Sequence, residues 1–96
     1  MPDLIFEWDA AKNDANFRKH RVDFALAALI FEHPVVEALD ERRDYGELRW
    51  IAYGMVEGEI YRVVYTRRAQ NVFRIISAHK AGRRARQRWI DAVQPG

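Results

Sequence analysis

His20 can take up or release a proton near neutral pH, and a cation, Lys19, directly precedes it. An unperturbed imidazole titrates near pH ~6.5, and a neighbouring ammonium favours its neutral form. The second half of the chain carries three arginines on different strand-like segments or their ends, Arg49 and Arg74 between apolar residues and Arg67 after Thr66. It ends in a basic stretch, His79-Lys80-Ala81-Gly82-Arg83-Arg84-Ala85-Arg86-Gln87-Arg88, that runs on from the apolar segment Val72 to Ala78. Cations joined to a core strand have a fixed position, so they can grip a phosphate chain where a loose basic tail offers only diffuse attraction. The planar arginine fork suits two-point contacts to phosphate or carboxylate. The competing reading of each group is structural. A histidine at a helix end is also a favourable partner for the helix dipole, and surface arginines are commonly solvated or paired internally.

The net charge of +2 hides an asymmetry: residues 1 to 41 hold 4 Lys/Arg against 9 Asp/Glu, and residues 42 to 96 hold 12 against 5. An anionic partner for the second half is the first expectation, with pairing between the two halves as its rival. A chain of 96 residues that is 49% hydrophobic suits one domain over 1–96 with one core. No segment is long and apolar enough to cross a bilayer, and Met1-Pro2-Asp3-Leu4 lacks the pattern of a signal peptide, so the expected location is the cytoplasm. With no cysteine and three isolated histidines, His20, His33 and His79, no structural metal or cofactor is expected. Asp40, Glu41 and Asp44 would bind Mg²⁺ only if folded back together.

The elements that must hold these groups follow from hydrophobic period and capping. Ile5 to Trp8 alternates as a strand, and Asp9 can cap a helix ending near His20, with Ala10 and Phe17 on its apolar face. Asp23 can cap a second helix in which Phe24, Ala27, Ala28 and Phe31 share a face and Pro34 marks the end. Val35 to Leu39, Leu48 to Val56, Ile60 to Thr66 and Val72 to Ala78 read as strands, with a turn at Glu57-Gly58-Glu59. The order βααββββα predicts an α+β fold: an antiparallel sheet with two N-terminal helices on one face, a basic C-terminal helix and an open face for binding. Period two puts Tyr61, Val63 and Tyr65 on one side and Arg62, Val64 and Thr66 on the other. Which arginines converge depends on register.

Five segments together resemble the BrnT family. They are Phe6-Glu7-Trp8-Asp9 with Lys12, Asn13 and Asn16; Lys19-His20 before Val22-Asp23-Phe24; Arg43-Asp44-Tyr45-Gly46-Glu47 with Arg49; Val64-Tyr65-Thr66 with Arg67; and Arg74-Ile75-Ile76-Ser77-Ala78 with Lys80-Ala81. The resemblance spans nearly the whole chain. It implies a RelE-like fold and the toxin of a type II toxin-antitoxin pair, an endoribonuclease that cleaves mRNA and halts translation. It also implies a small BrnA-type antitoxin with a ribbon-helix-helix domain. That partner would neutralise the toxin in a hetero-oligomer and carry it indirectly to operator DNA.

Such cleavage, run without a metal, needs a base for a 2′-hydroxyl, cations for the charged transition state and an acid for the leaving 5′-oxygen. On this reading the catalytic candidates are Lys19, His20, Arg49, Arg67 and Arg74, with Arg67 at a strand end. Tyr65, His79, Lys80, Arg83 and Arg84 are candidates for substrate binding, Tyr65 and Trp89 by stacking on bases and Lys80 from the start of the last helix. Core packing competes for both aromatics. Arg83, Arg84, Arg86 and Arg88 suit RNA or an acidic antitoxin surface equally. Three positions depart from the family pattern: Arg21 stands where glycine is usual, His79 where arginine is, and Ala85 where glutamate is common. Two non-catalytic readings stand beside the enzyme: a nucleic-acid-binding module, and a protein whose arginines only dock an acidic chain.

Overall fold

Capping and turn chemistry place most elements where the sequence predicts them. The computed structural model describes residues 3–93; Met1, Pro2 and residues 94–96, which the expected domain of 1–96 takes in, lie outside the described residues. Strand β1 (Ile5–Glu7) leads to Asp9, whose carboxylate accepts a hydrogen bond from the Lys12 N–H at 3.1 Å and starts helix α1 (Ala10–His20). Asp23 caps helix α2 (Phe24–Ala27) by accepting from the Ala25 N–H at 2.8 Å. The single helix expected from Phe24 to Phe31 is split: after one α-helical turn the chain tightens into a 3-10 segment, Ala28–Glu32. It ends at His33, extended at φ −131° and ψ 172° because the residue before a proline avoids the helical region.

The remaining elements are β2 (Val36–Leu39), β3 (Trp50–Val56), β4 (Glu59–Ala69), β5 (Val72–Lys80) and α3 (Arg83–Val93). Glu57 (φ 49°) and Gly58 (φ 84°) form the two-residue turn between β3 and β4, the positive pair that matches the twist of a tight hairpin. The strand order is β1-β5-β4-β3-β2. Four strands are antiparallel, but β1 lies parallel to β5, so the antiparallel sheet expected from the sequence is a mixed one. No tight turn sets the direction of β1; it pairs with the last strand in the chain rather than the next one.

The helices α1 and α2 and the 3-10 segment cover one face of the sheet, where Phe24, Ile30, Ala52, Val63, Tyr65, Ile75 and Ala78 are essentially inaccessible. Ile30 sits so close to the sheet that a Cβ on Gly54 would lie 2.7 Å from its own, which leaves room only for glycine. The opposite face is not fully open, contrary to expectation. Helix α3 lies against β3 there, with buried Trp89 beside Val36 and Tyr53.

The buried side of α1 also differs from the apolar face expected. Phe17 is 44% exposed, whereas Asn16 is buried. The cause is the shortness of β1, which pairs with Val72 to Arg74 only and leaves the upper edge of β5 without a strand. The Asn16 carboxamide fills that edge: its oxygen accepts from the Ala78 N–H at 3.2 Å and its nitrogen donates to the Ala78 carbonyl at 2.7 Å and the Val22 carbonyl at 3.0 Å. One side chain thus substitutes for a strand partner, satisfying groups that would be costly to bury unpaired.

Candidate active site

Because Asn16 fixes α1 to Ala78, the residues next along each element come together. His20 lies one helical turn beyond Asn16, His79 follows Ala78 on β5, and their ring centroids are 5.2 Å apart. The His79 Nδ1 lies 2.8 Å from the Lys80 carbonyl, which can only accept, so the proton is on Nδ1. Its Nε2 faces the Arg62 guanidinium at 3.4 Å, and Arg62 is the cross-strand partner of His79. Burial of His20, then electrostatic repulsion from a protonated His79 ring and then from Lys19, push the His20 pKa below 6.5. Lys19, singled out from the sequence, is therefore the least of three causes. A depressed histidine pKa means the neutral ring is favoured in the folded state, and its stabilising effect is lost as pH falls below 6.5. His20 is accordingly neutral near pH ~7, as a general base must be. Lys19 is exposed, and Lys80, exposed too, is 3.7 Å from Glu59. Both His79 and Lys80 belong to β5, which corrects the expectation that Lys80 starts the last helix.

Along β4, Arg62, Val64 and Thr66 alternate with core residues and share the α3 side of the sheet. Thr66 pairs across the strands with Arg74, and Arg74 in turn with Glu7. The Glu7 carboxylate lies 3.8 Å from Arg74 and 3.6 Å from Arg68, holding both guanidinium groups at the end of the sheet away from His79. Thr66 is 3% exposed, yet its Oγ1 has no hydrogen-bond partner among the described residues. Arg49 precedes β3; its guanidinium is 4.0 Å from the centre of the Tyr45 ring and 3.4 Å from Glu47.

Arg67 is on the other face, apart from Arg74. It lies within β4 rather than at the strand end predicted. Its guanidinium is 4.0 Å from the centre of the Trp50 ring and 3.0 Å from Glu37, a carboxylate that also accepts from the Tyr65 hydroxyl. Tyr65 itself is wholly buried, stacked on Phe73 with centroids 4.7 Å apart, so it presents no ring face to a base and the stacking role expected for it is corrected to core packing. Trp89 is core for the same reason.

Arg83, Arg84, Arg86 and Arg88 are all exposed on α3. The first turn of α3 has no acidic residue, so the positive end of its dipole faces like charge, an arrangement that an anionic partner would relieve. Asp40 is buried and its carboxylate is held by Arg42 (2.7 and 2.8 Å) and Tyr45 (3.1 Å), which keep its pKa well below the usual range. Arg21, at the glycine position of the family pattern, adopts the left-handed φ of 60° and closes α1 with its N–H on the Phe17 carbonyl. Sequence reasoning missed the roles of Asn16, Arg62 and Glu37. A buried-face asparagine four residues before His20 was the available signal for the first, and alternation opposite Val63 for the second.

Fold and site define a small α+β protein with a mixed five-stranded sheet, three helices, and a histidine of lowered pKa beside a second histidine that Arg62 contacts. The model of the BrnT ribonuclease toxins of type II toxin-antitoxin systems matches residues 8–85, and the chain belongs to that family. It shares its fold with the 1.1 Å crystal structure of the Brucella abortus ribonuclease toxin BrnT, at TM-score 0.60 and 24% identity over 86% of this chain and 100% of that one. No curated protein sequence matches it. As a type II ribonuclease toxin it has RNA as substrate and an antitoxin as partner.

Proposed function

We propose that this chain is a metal-independent endoribonuclease of RelE-like type, a single toxin domain that cleaves mRNA in the cytoplasm and inhibits translation. The observation that carries the reading is the pair of neighbouring imidazoles, His20 and His79, 5.2 Å apart and inclined at 42°, with the Arg62 guanidinium 3.4 Å from the second ring. Neutral His20 takes the proton of a 2′-hydroxyl. The 2′-oxygen attacks the adjacent phosphorus, the bond to the 5′-oxygen breaks, and that oxygen takes a proton from a solvent water, whose hydroxide then recovers the proton held on His20, giving a 2′,3′-cyclic phosphate and a 5′-hydroxyl. Arg62, Lys19 and Lys80 supply positive charge at the reacting phosphate, where fixed cations stabilise developing charge without reorganisation. Arg74 and Arg49 contact phosphates further along the strand, and Arg83 and Arg84 hold RNA beside α3. The antitoxin is a BrnA-type ribbon-helix-helix protein whose acidic surface covers these arginines, forming the hetero-oligomer that reaches operator DNA through the antitoxin.

The test is to incubate purified, antitoxin-free protein with a long RNA in EDTA, beside His20→Ala, and to map the ends. Wild type should give 2′,3′-cyclic phosphate ends, and the variant should be slower by about 10²–10⁴-fold. Intact RNA from folded wild type, or equal cleavage by both proteins, would overturn the assignment.

A further inference from the structure

At the end of the sheet away from His79, β4 runs past the start of β3, whose pairing stops at Trp50 opposite Tyr65. Thr66 to Arg68 therefore have no strand on that side, and the chain at Glu47 and Leu48 stands off to leave a cleft of about 440 Å³. Its lining is Glu47, Leu48, Trp50, Thr66, Arg67 and Arg68. Three features there point to a ligand. The Arg67 guanidinium is fixed 4.0 Å from the centre of the Trp50 ring and 5.6 Å from that of Phe73 and oriented by Glu37, and its side chain remains 40% exposed. The Thr66 hydroxyl is buried with nothing to bond. Leu48, 70% exposed, is the most exposed large apolar side chain among the described residues.

We propose that this cleft is a nucleobase subsite for single-stranded RNA, which rests on the ribonuclease reading and deepens it into sequence preference. A flat, polar-edged group is what the lining accommodates. Unpaired RNA bases stack on arginine planes and are read by hydrogen bonds at their edges; with the ring on Arg67, its edge reaches across the open strand edge of Thr66 to Arg68 toward the Thr66 hydroxyl on the other face of the sheet. Leu48 covers the opposite side of the ring. Arg67 acts here as a positioned plane; its charge is already met by Glu37, which sets it apart from the phosphate cations. Five residues of β4 separate it from Arg62, about 16 Å at ~3.3 Å per residue. The base held is thus a few nucleotides from the cleaved phosphate.

The experiment is an abasic scan of a short 2′-O-methyl RNA, which cannot be cleaved, measured by fluorescence anisotropy with wild type, Thr66→Val and Arg67→Lys. Thr66→Val keeps the β-branched shape, and Arg67→Lys keeps the charge but loses the plane. One abasic position should weaken wild-type binding about tenfold, and both variants should erase that penalty. A penalty spread evenly over positions, or one that persists in both variants, overturns the subsite while leaving the ribonuclease reading intact. No binding of the unmodified 2′-O-methyl strand, with no cleavage of the matched RNA, would sink both.

Discussion

Asn16 and Thr66 are both buried polar residues at places where a strand loses its neighbour, and they resolve the loss in opposite ways. Beside the upper half of β5, Asn16 makes hydrogen bonds to Ala78 and Val22, closing the edge that β1 leaves open. Beside the end of β4, no such group arrives, and Thr66 keeps an unpaired hydroxyl in a cleft. The first end is thereby fixed, and it is where His20 and His79 meet. The second end is built but incomplete. A satisfied buried polar group is a structural joint, whereas an unsatisfied one invites a ligand.

Breaking the joint has the largest effect. Asn16→Leu leaves the Ala78 N–H and carbonyl without their partner, and should cost about 3 kcal/mol in denaturant unfolding. Cleavage should fall further than the loss of folded protein explains, because His20 and His79 lose their common anchor. At the other end, Thr66→Val should raise stability by about 1 kcal/mol, since it removes a buried hydroxyl with no partner. A loss of stability there would mean that Thr66 has a bonded role in the free protein. Smallest is Arg21→Gly. Relief of the left-handed backbone outweighs the added freedom of the unfolded chain, and stability should rise by about 0.5 kcal/mol in the same assay.

Local chemistry made much of this legible. Asp9 and Asp23 as caps, the Glu57-Gly58 turn and the order of elements all rest on contacts a few residues apart, which a sequence displays directly. What stayed hidden depends on pairing between distant segments. The parallel seating of β1 on β5 leaves the edge that makes Asn16 more important to α1 than Phe17. The alternation along β4 sends Arg67 to Glu37 and Trp50 and Thr66 to Arg74, so the three arginines suggested by their types do not form one cluster. Register shifts between Val64 and Tyr65 and between Arg67 and Ala69 set these neighbours, and no residue type announces them. His20 was legible as a residue; its approach to His79 was not.

The most direct test of the account is the single-turnover cleavage rate of wild type and His20→Gln from about pH 5 to 8, at constant ionic strength. A base whose pKa burial, His79 and Lys19 hold below its ordinary value predicts a wild-type rate that falls with acid, with its midpoint below 6.5, and no such limb in the variant. A midpoint at or above 6.5, or the same limb in His20→Gln, would contradict the assignment of His20 as the base.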